Sequence, residues 1–204
     1  MLEAMPFTLA ILSTILLYTW ILDHRLPREF VNVTIGVVAA LGIWHSVRTG
    51  EWGFDRRAFV PALRVVALFT GPAVVAILLA GALLGTLHDR RDFLGSLGWL
   101  VVWGGAQQWI LQTVVLHEAR RATVPRLGVL LAAMLFALVH LPNPFLTAIT
   151  FVGGLVWCAT YARYPNIAPL ALSHALGTLA ILYAFDPLLT GRLRIGYSYL
   201  LLDR

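Results

Sequence analysis

The sequence predicts an all-α polytopic membrane protein of about seven transmembrane helices with a four-helix core. Hydrophobic residues make up 59% of its 204 residues and charged residues only 12%, and the mean hydropathy is +0.81. A soluble domain of this length needs more polar surface than that. The apolar residues also form long runs separated by short arginine-bearing linkers, which is the pattern of helices that cross a bilayer several times.

Each predicted span is an apolar run close to the roughly 20 residues that a helix needs to cross a bilayer. The runs at 30–46 and 127–141 are short, so these two spans require a thinned bilayer or a protein surround. The run at 59–87 is overlong and contains Pro61, Arg64 and Pro72, so an interfacial helix over 58–70 followed by a kinked span is an alternative there. The spans are predicted near 5–22, 30–46, 66–87, 94–116, 127–141, 144–162 and 167–185.

The charges of the chain indicate where it resides. All 15 basic residues are arginine and the net charge is +5. Because the arginines lie mostly in the linkers, we expect membrane lipids as partners and no nucleic acid. They divide equally between the two faces that seven spans define, so orientation does not follow. The first apolar run has no basic leader and no cleavage site, and we interpret it as a retained span. We expect a multi-pass protein of a bacterial-type cytoplasmic membrane.

Polar side chains occur inside three of the predicted spans. Measured from the face that carries the HEARRATVPR linker, Gln107 and Gln108 lie roughly 14 Å deep, His140 roughly 20 Å and His174 roughly 11 Å. Such groups are costly in lipid and normally face the bundle interior, so the similar depths predict one shared, uncharged chamber. The alternative for each residue is a plain interhelical hydrogen bond, typically worth under about 2 kcal/mol.

The spacing within each span agrees with a chamber. Three pairs are separated by four residues and therefore share a helix face: Gln108 with Gln112, Phe136 with His140, and His174 with Thr178. Glycine, alanine and serine residues flank these pairs and permit close helix approach.

At this point the sequence resembles the CPBP family, which includes the CAAX prenyl proteases and the bacteriocin-processing or immunity proteins. The resemblance covers about residues 94–187. The first family motif, EExxxR, is matched by QQWILQ (107–112), and the second, FxxxH, by FALVH (136–140) followed by Asn143. FVGGLVWCATY (151–161) fits the glycine-rich span, and HALGT (174–178) fits the last motif with threonine in place of asparagine. The predicted regions are therefore N-terminal helices at 1–93, a CPBP-like core at 94–187 and a tail at 188–204.

The resemblance implies a site but also a change in its chemistry. It gives Gln107, Gln108, His140 and His174 as catalytic positions, and Gln112, Phe136, Asn143 and Thr178 as substrate-binding positions. In the family a first-motif glutamate is taken to activate the attacking water, whereas a carboxamide is far too weakly basic to do so. The nearest carboxylates are Glu118, expected in a solvated charge cluster with Arg120 and Arg121, and Asp186.

Three functions remain open at this level. The first is an enzyme of altered chemistry, in which a histidine is the base, acting on a lipid-like, prenylated, isoprenoid or peptide substrate. The second is a non-proteolytic pseudoenzyme or binding protein. The third is a CAAX-type intramembrane endopeptidase with a divergent motif, using Glu118 or a histidine as base. We expect no cofactor and no metal, because two histidines and three amides lack the third strong ligand that catalytic zinc normally has.

Overall fold

The computed structural model describes residues 4–88 and 92–202, and within these ranges the protein is helical without a β-strand. An isolated antiparallel bridge joins Phe54 to Asn166. The predicted all-α class is confirmed. Residues 89–91, which belong to the predicted HDRRD linker, and the last two residues of the tail lie outside the described part. The helices are α1 (Pro6–Leu17), α2 (Phe30–Thr49), α3 (Phe59–Leu84), α4 (Phe93–Ile110), α5 (His117–Ala122), α6 (Pro125–Leu138), α7 (Pro144–Arg163), α8 (Ile167–Ala184) and α9 (Tyr197–Leu200).

Four helical segments in the described ranges are long and apolar enough to cross a membrane, namely Phe30–Thr49, Arg56–Leu84, Pro144–Arg163 and Ile167–Ala184. Pro6–Leu22 and Pro125–Leu138 are shorter apolar helices. The chain is therefore an integral membrane protein, and the count of seven spans stays a prediction.

Two expectations about individual spans are corrected. Residues 59–84 form a single α-helix with Pro72 inside it, preceded by a short 3₁₀ turn at Arg56–Ala58, so the separate interfacial helix at 58–70 is wrong. The fifth predicted span is shorter than expected, because α6 ends at Leu138 and His140 lies in the turn before α7.

The chain forms two compact units, and each takes segments from more than one of the predicted regions, whose boundaries stay a prediction. The first unit contains Met1–Trp52, Ile110–Leu155 and Leu193–Arg204, and the second contains Gly53–Trp109 and Val156–Arg192. Helices α4 and α7 contribute residues to both units.

In the first unit, α1 packs against α2, and a π-helical segment at Leu111–Leu116 leads directly into α5, which packs against α6. A buried carboxylate joins the N-terminal helix to this part, because Glu118 accepts hydrogen bonds from the backbone N–H groups of Phe7 (3.2 Å) and Thr8 (2.8 Å). These are N–H groups of the first helical turn, which the helix itself cannot satisfy. Glu118 thus caps α1.

In the second unit, α3 packs along α8. Gly81 of α3 faces the backbone of Ala184 so closely that a Cβ at Gly81 would collide with it, and the Thr86 hydroxyl donates to the Ala184 carbonyl at 2.6 Å. Asn166 caps α8 by accepting from Ala168 N (3.0 Å) and donates its amide to the carbonyl of Asp55 (2.9 Å). These bonds fix where α8 begins and how its C-terminal end meets α3.

Candidate functional site

A connected set of polar and aromatic side chains surrounds His174 in the second unit. We call this set the His174 network, and four helices contribute to it. Its members are Thr70 from α3, Gln108 from α4, Trp157 from α7, and Ser173 and His174 from α8.

Gln108 and His174, two of the residues predicted to line one chamber, contact each other in this network. Gln108 is fully buried, and its amide nitrogen Nε2 lies 3.4 Å from Nδ1 of His174, within hydrogen-bond reach. A carboxamide nitrogen can only donate, so in this arrangement Nδ1 accepts and the proton of a neutral His174 sits on Nε2. The outer nitrogen of His174 is then a hydrogen-bond donor.

Gly104 and Gly105, which precede the glutamines in α4, lie against different residues of α8. An ideal Cβ built on Gly104 would lie 3.3 Å from Cγ of His174, tighter than an ordinary contact, whereas one built on Gly105 would lie 3.6 Å from Cβ of Ala171. Gly104 therefore makes the space in which the imidazole sits beside α4. Gly105 merely borders α8.

Trp157 packs against a face of the His174 imidazole. Its ring stacks on His174 with centroids 4.8 Å apart and planes inclined by 21°. Its indole Nε1–H donates to the hydroxyl of Ser173 at 2.9 Å, and that hydroxyl lies 2.6 Å from the hydroxyl of Thr70. The network thus fixes the ring plane of His174 through α7 and the position of Ser173 through α3.

His140 lies in the first unit, where its Nδ1 is 2.7 Å from the carbonyl oxygen of Phe136. A carbonyl only accepts, so Nδ1 carries the proton and the lone pair of a neutral His140 is on Nε2. The Phe136 and His140 rings also meet edge to face, with centroids 5.0 Å apart, which confirms that the two side chains are neighbours. The two candidate histidines therefore have opposite tautomers.

The remaining predicted positions differ in what the structure says of them. Gln112 is fully buried in the π-helical segment of the first unit. Asn143 accepts from Leu146 N (3.1 Å) and donates to the Arg194 carbonyl (3.0 Å), so its side chain connects the start of α7 to the tail. Gln107 and Thr178, in the second unit, are half-buried. The proposed substrate contacts of Gln112, Phe136, Asn143 and Thr178 stay predictions.

One expectation about carboxylates is wrong. Glu118 does not belong to a solvated charge cluster, because it is buried and both its oxygens accept backbone N–H groups of α1. Among the described residues, no group of three or more His, Cys, Asp or Glu side chains is arranged to hold a metal ion.

Sequence reasoning missed the importance of Trp157 and Thr70. A tryptophan or threonine in an apolar run looks like any lipid-facing or hydrogen-bonding residue of a span. The available signal was the position of Trp157 within FVGGLVWCATY (151–161), the stretch that fits the glycine-rich span of the family.

Comparison with known proteins bears on this same stretch of the chain. A family model described as Type II CAAX prenyl endopeptidase Rce1-like matches residues 91–180. Residues 91–180, fewer than half of the chain, are similar to this family, and we call them the Rce1-like segment. The matched range includes the QQWILQ, FALVH and HALGT motifs, so the predicted resemblance to the CPBP family is confirmed over it. No curated protein and no solved structure matches the chain.

The Rce1-like segment contains Gln108, Trp157, Ser173 and His174, and α3 supplies Thr70 from outside it. A residue from outside the matched segment therefore contacts Ser173, the neighbour of His174 in the chain.

Proposed function

We propose that the protein is an intramembrane enzyme of altered chemistry that acts on a prenylated, isoprenoid or other lipid-like substrate, including prenylated peptides. The proposal is supported by the Rce1-like match over 91–180 and by one observation above all. Where the resemblance predicts a carboxylate beside histidine, the fully buried carboxamide of Gln108 contacts Nδ1 of His174. A multi-pass topology in a bacterial-type cytoplasmic membrane is part of the same proposal.

His140 is the proposed general base. Its Nδ1–H donates to the Phe136 carbonyl, which leaves the Nε2 lone pair to take a proton from water or from a substrate hydroxyl. A backbone carbonyl orients the ring without supplying a negative charge. The base is therefore a neutral imidazole and not a carboxylate.

His174 is the proposed hydrogen-bond donor. Held by Gln108 and stacked against Trp157, the His174 imidazole is proposed to stabilise the negative charge that develops on a substrate carbonyl oxygen. Gln107 and Gln108 are proposed to orient a water or a substrate carbonyl, as an amide can do without removing a proton. An uncharged environment of this kind favours an apolar substrate.

A second candidate function is a binding protein that does not hydrolyse its ligand. It is favoured by the same replacements, because Gln107, Gln108 and Gln112 stand where the resemblance gives two glutamates and an arginine. An amide can hold a carbonyl or hydroxyl in place, but it cannot drive proton transfer. The inherited site would then bind a lipid, a peptide or another membrane protein.

An endopeptidase with Glu118 as its base is less well supported. Both oxygens of Glu118 accept backbone N–H groups of α1, so the carboxylate is occupied in capping that helix. Peptide cleavage that disappears in Glu118→Ala, in protein that still folds, would favour this reading over the other two.

The deciding experiment uses the full-length protein in lipid nanodiscs with fluorescent prenylated peptides and isoprenoid esters. We expect slow turnover that falls at least tenfold in His140→Ala and in His174→Ala, and stays unchanged in the control His24→Ala, whose side chain is exposed. Turnover that survives the double alanine variant contradicts the enzyme proposal. Absence of turnover together with saturable substrate binding that weakens in Gln108→Ala identifies a binding protein.

A further inference from the structure

A second group of ionisable side chains lies in the first unit. Of its members, only Glu118 has been discussed above. We call it the imidazole–carboxylate cluster. It consists of His45 near the end of α2, Glu51 just after that helix, and His117 and Glu118 at the start of α5. The first turn of α1 closes the cluster, since Thr8 binds Glu118 and the Phe7 ring packs on His45 with centroids 5.2 Å apart.

Glu51 fixes the tautomer of His117. The carboxylate accepts a hydrogen bond from Nδ1 of His117, so the lone pair of the neutral ring is on Nε2. That Nε2 atom is buried and has no hydrogen-bond partner among the described residues. Histidines that bind metals commonly donate their other ring N–H to a carboxylate in this way, which fixes the orientation of the ring.

His45 presents a second imidazole to the first. It is 3% exposed, and its Nδ1 atom is likewise buried without a hydrogen-bond partner within residues 4–88 and 92–202. The rings of His45 and His117 are 5.0 Å apart between centroids and inclined by 82°. Two imidazoles on one tetrahedral ion, with metal–nitrogen bonds of about 2.1 Å, have centroids roughly 5 Å apart.

The surroundings favour a hydrated cation. The hydroxyls of Thr8 and Ser46 are fully or almost fully buried, and neither has a hydrogen-bond partner in the described ranges. Each can bond to a water molecule on a metal ion. The groups that act electrostatically on His45 are the His117 imidazole, the Glu118 and Glu51 carboxylates and the Arg121 guanidinium. When His117 is neutral, as a metal ligand is, two negative charges stand against one positive charge. The His117 and Glu51 side chains are 20% and 28% exposed, so this side of the cluster lies near the protein surface.

We propose that the imidazole–carboxylate cluster binds one divalent transition-metal ion, with Nε2 of His117 and Nδ1 of His45 as its ligands. Imidazole nitrogens suit Zn²⁺, Co²⁺ and Ni²⁺. Water completes the coordination, because the described residues contain no group of three metal-binding side chains. Glu51 holds His117 in position and Glu118 remains the cap of α1. The ion links α2 to α5 and thereby stabilises the first unit.

The proposal is tested by Zn²⁺ titration of the full-length protein in detergent, freed of metal and of any polyhistidine tag, using isothermal calorimetry at pH 7.5. We expect saturable binding of one ion per chain and a rise in unfolding temperature on loading. Affinity for Zn²⁺ should fall at least tenfold in His117→Ala and in His45→Ala, because each variant removes a ligand. It should also fall by about 10-fold or more in Glu51→Ala, which keeps both histidines but removes the carboxylate that orients His117. His24→Ala, in the same unit but outside the cluster, should bind like the wild type.

Co²⁺ gives a readout that does not depend on the stability of the variants. A tetrahedral two-imidazole site should produce visible absorption bands in the wild-type protein, and Zn²⁺ should displace them. Failure of the wild type to bind either ion, or unchanged binding in the His45→Ala/His117→Ala double variant, overturns the proposal.

Discussion

The amide nitrogen of Gln108 faces Nδ1 of His174 at 3.4 Å, so a hydrogen-bond donor stands where an acid is expected from the resemblance. An acid at this position accepts from Nδ1–H and leaves the outer nitrogen basic. A carboxamide nitrogen does the reverse and leaves the outer nitrogen as a donor. The substitution therefore changes the role that His174 can play, beyond removing a base from the site.

Gln108→Glu should reverse the tautomer of His174, because a carboxylate can only accept a hydrogen bond and therefore favours the ring that carries its proton on Nδ1. The measurement is nitrogen NMR of histidine-labelled protein, in which the two ring nitrogens of each tautomer have distinct shifts. Gln107→Glu is the matched control, since the contact with His174 belongs to Gln108. A His174 signal that is the same in the wild type and in Gln108→Glu contradicts the tautomer assignment. Restored hydrolysis in Gln108→Glu alone would additionally identify the scaffold as that of an intact protease.

Gly104→Ala should disturb His174, and Gly105→Ala should not. Both changes gain about 1 kcal/mol of helix propensity, so the difference between them isolates the contact of the new methyl group, which is 3.3 Å from Cγ of His174 in one case and 3.6 Å from Ala171 in the other. We expect turnover or ligand binding to fall several-fold only in Gly104→Ala. Equal behaviour of the two variants would show that the imidazole has room to move.

Trp157→Phe should lower stability by about 1 kcal/mol, the usual net value of one hydrogen bond, because the ring is kept while the N–H to Ser173 is lost. Unfolding is followed by heating or by titration with SDS in mixed micelles. Trp99→Phe is the control, since Trp99 is 64% exposed. If the two variants unfold alike, the Trp157–Ser173 bond contributes nothing measurable.

Glu118→Ala should loosen the first turn of α1, because the N–H groups of Phe7 and Thr8 lose their acceptor. Loss of a helix cap costs about 0.5–2 kcal/mol. Hydrogen exchange should rise at the first turn of α1 and stay constant in α8. Glu29→Ala removes an exposed carboxylate and serves as control. Exchange at α1 that does not change would mean that water replaces the carboxylate without cost.

The sequence predicts the helices well because their signal is local. Apolar runs separated by arginine-bearing linkers give α7 and α8 to within one residue and the start of α2, which continues three residues beyond its predicted end. The end of α6 is misplaced because apolar residues continue through Val139 while the helix stops at Leu138, before Pro142. The overlong third run was divided on the strength of Pro61, Arg64 and Pro72, yet one helix accommodates all three.

The site is only partly predictable, because its decisive contacts join distant segments. Motif order brings Gln108 and His174 to attention, but the spacing within each helix says nothing of which amide atom meets which ring nitrogen. The burial of Glu118 was missed for the same reason. Its neighbours Arg120 and Arg121 indicate a solvated linker, whereas its actual partners are N–H groups more than a hundred residues earlier in the chain.

The close approach of α3 and α8 at Gly81 and Ala184 leaves no room for a side chain between the two helices at that level. The Thr86 hydroxyl donates to the same Ala184 carbonyl that Gly81 faces. Any residue larger than glycine at position 81 would therefore have to push the C-terminal end of α8 away from α3.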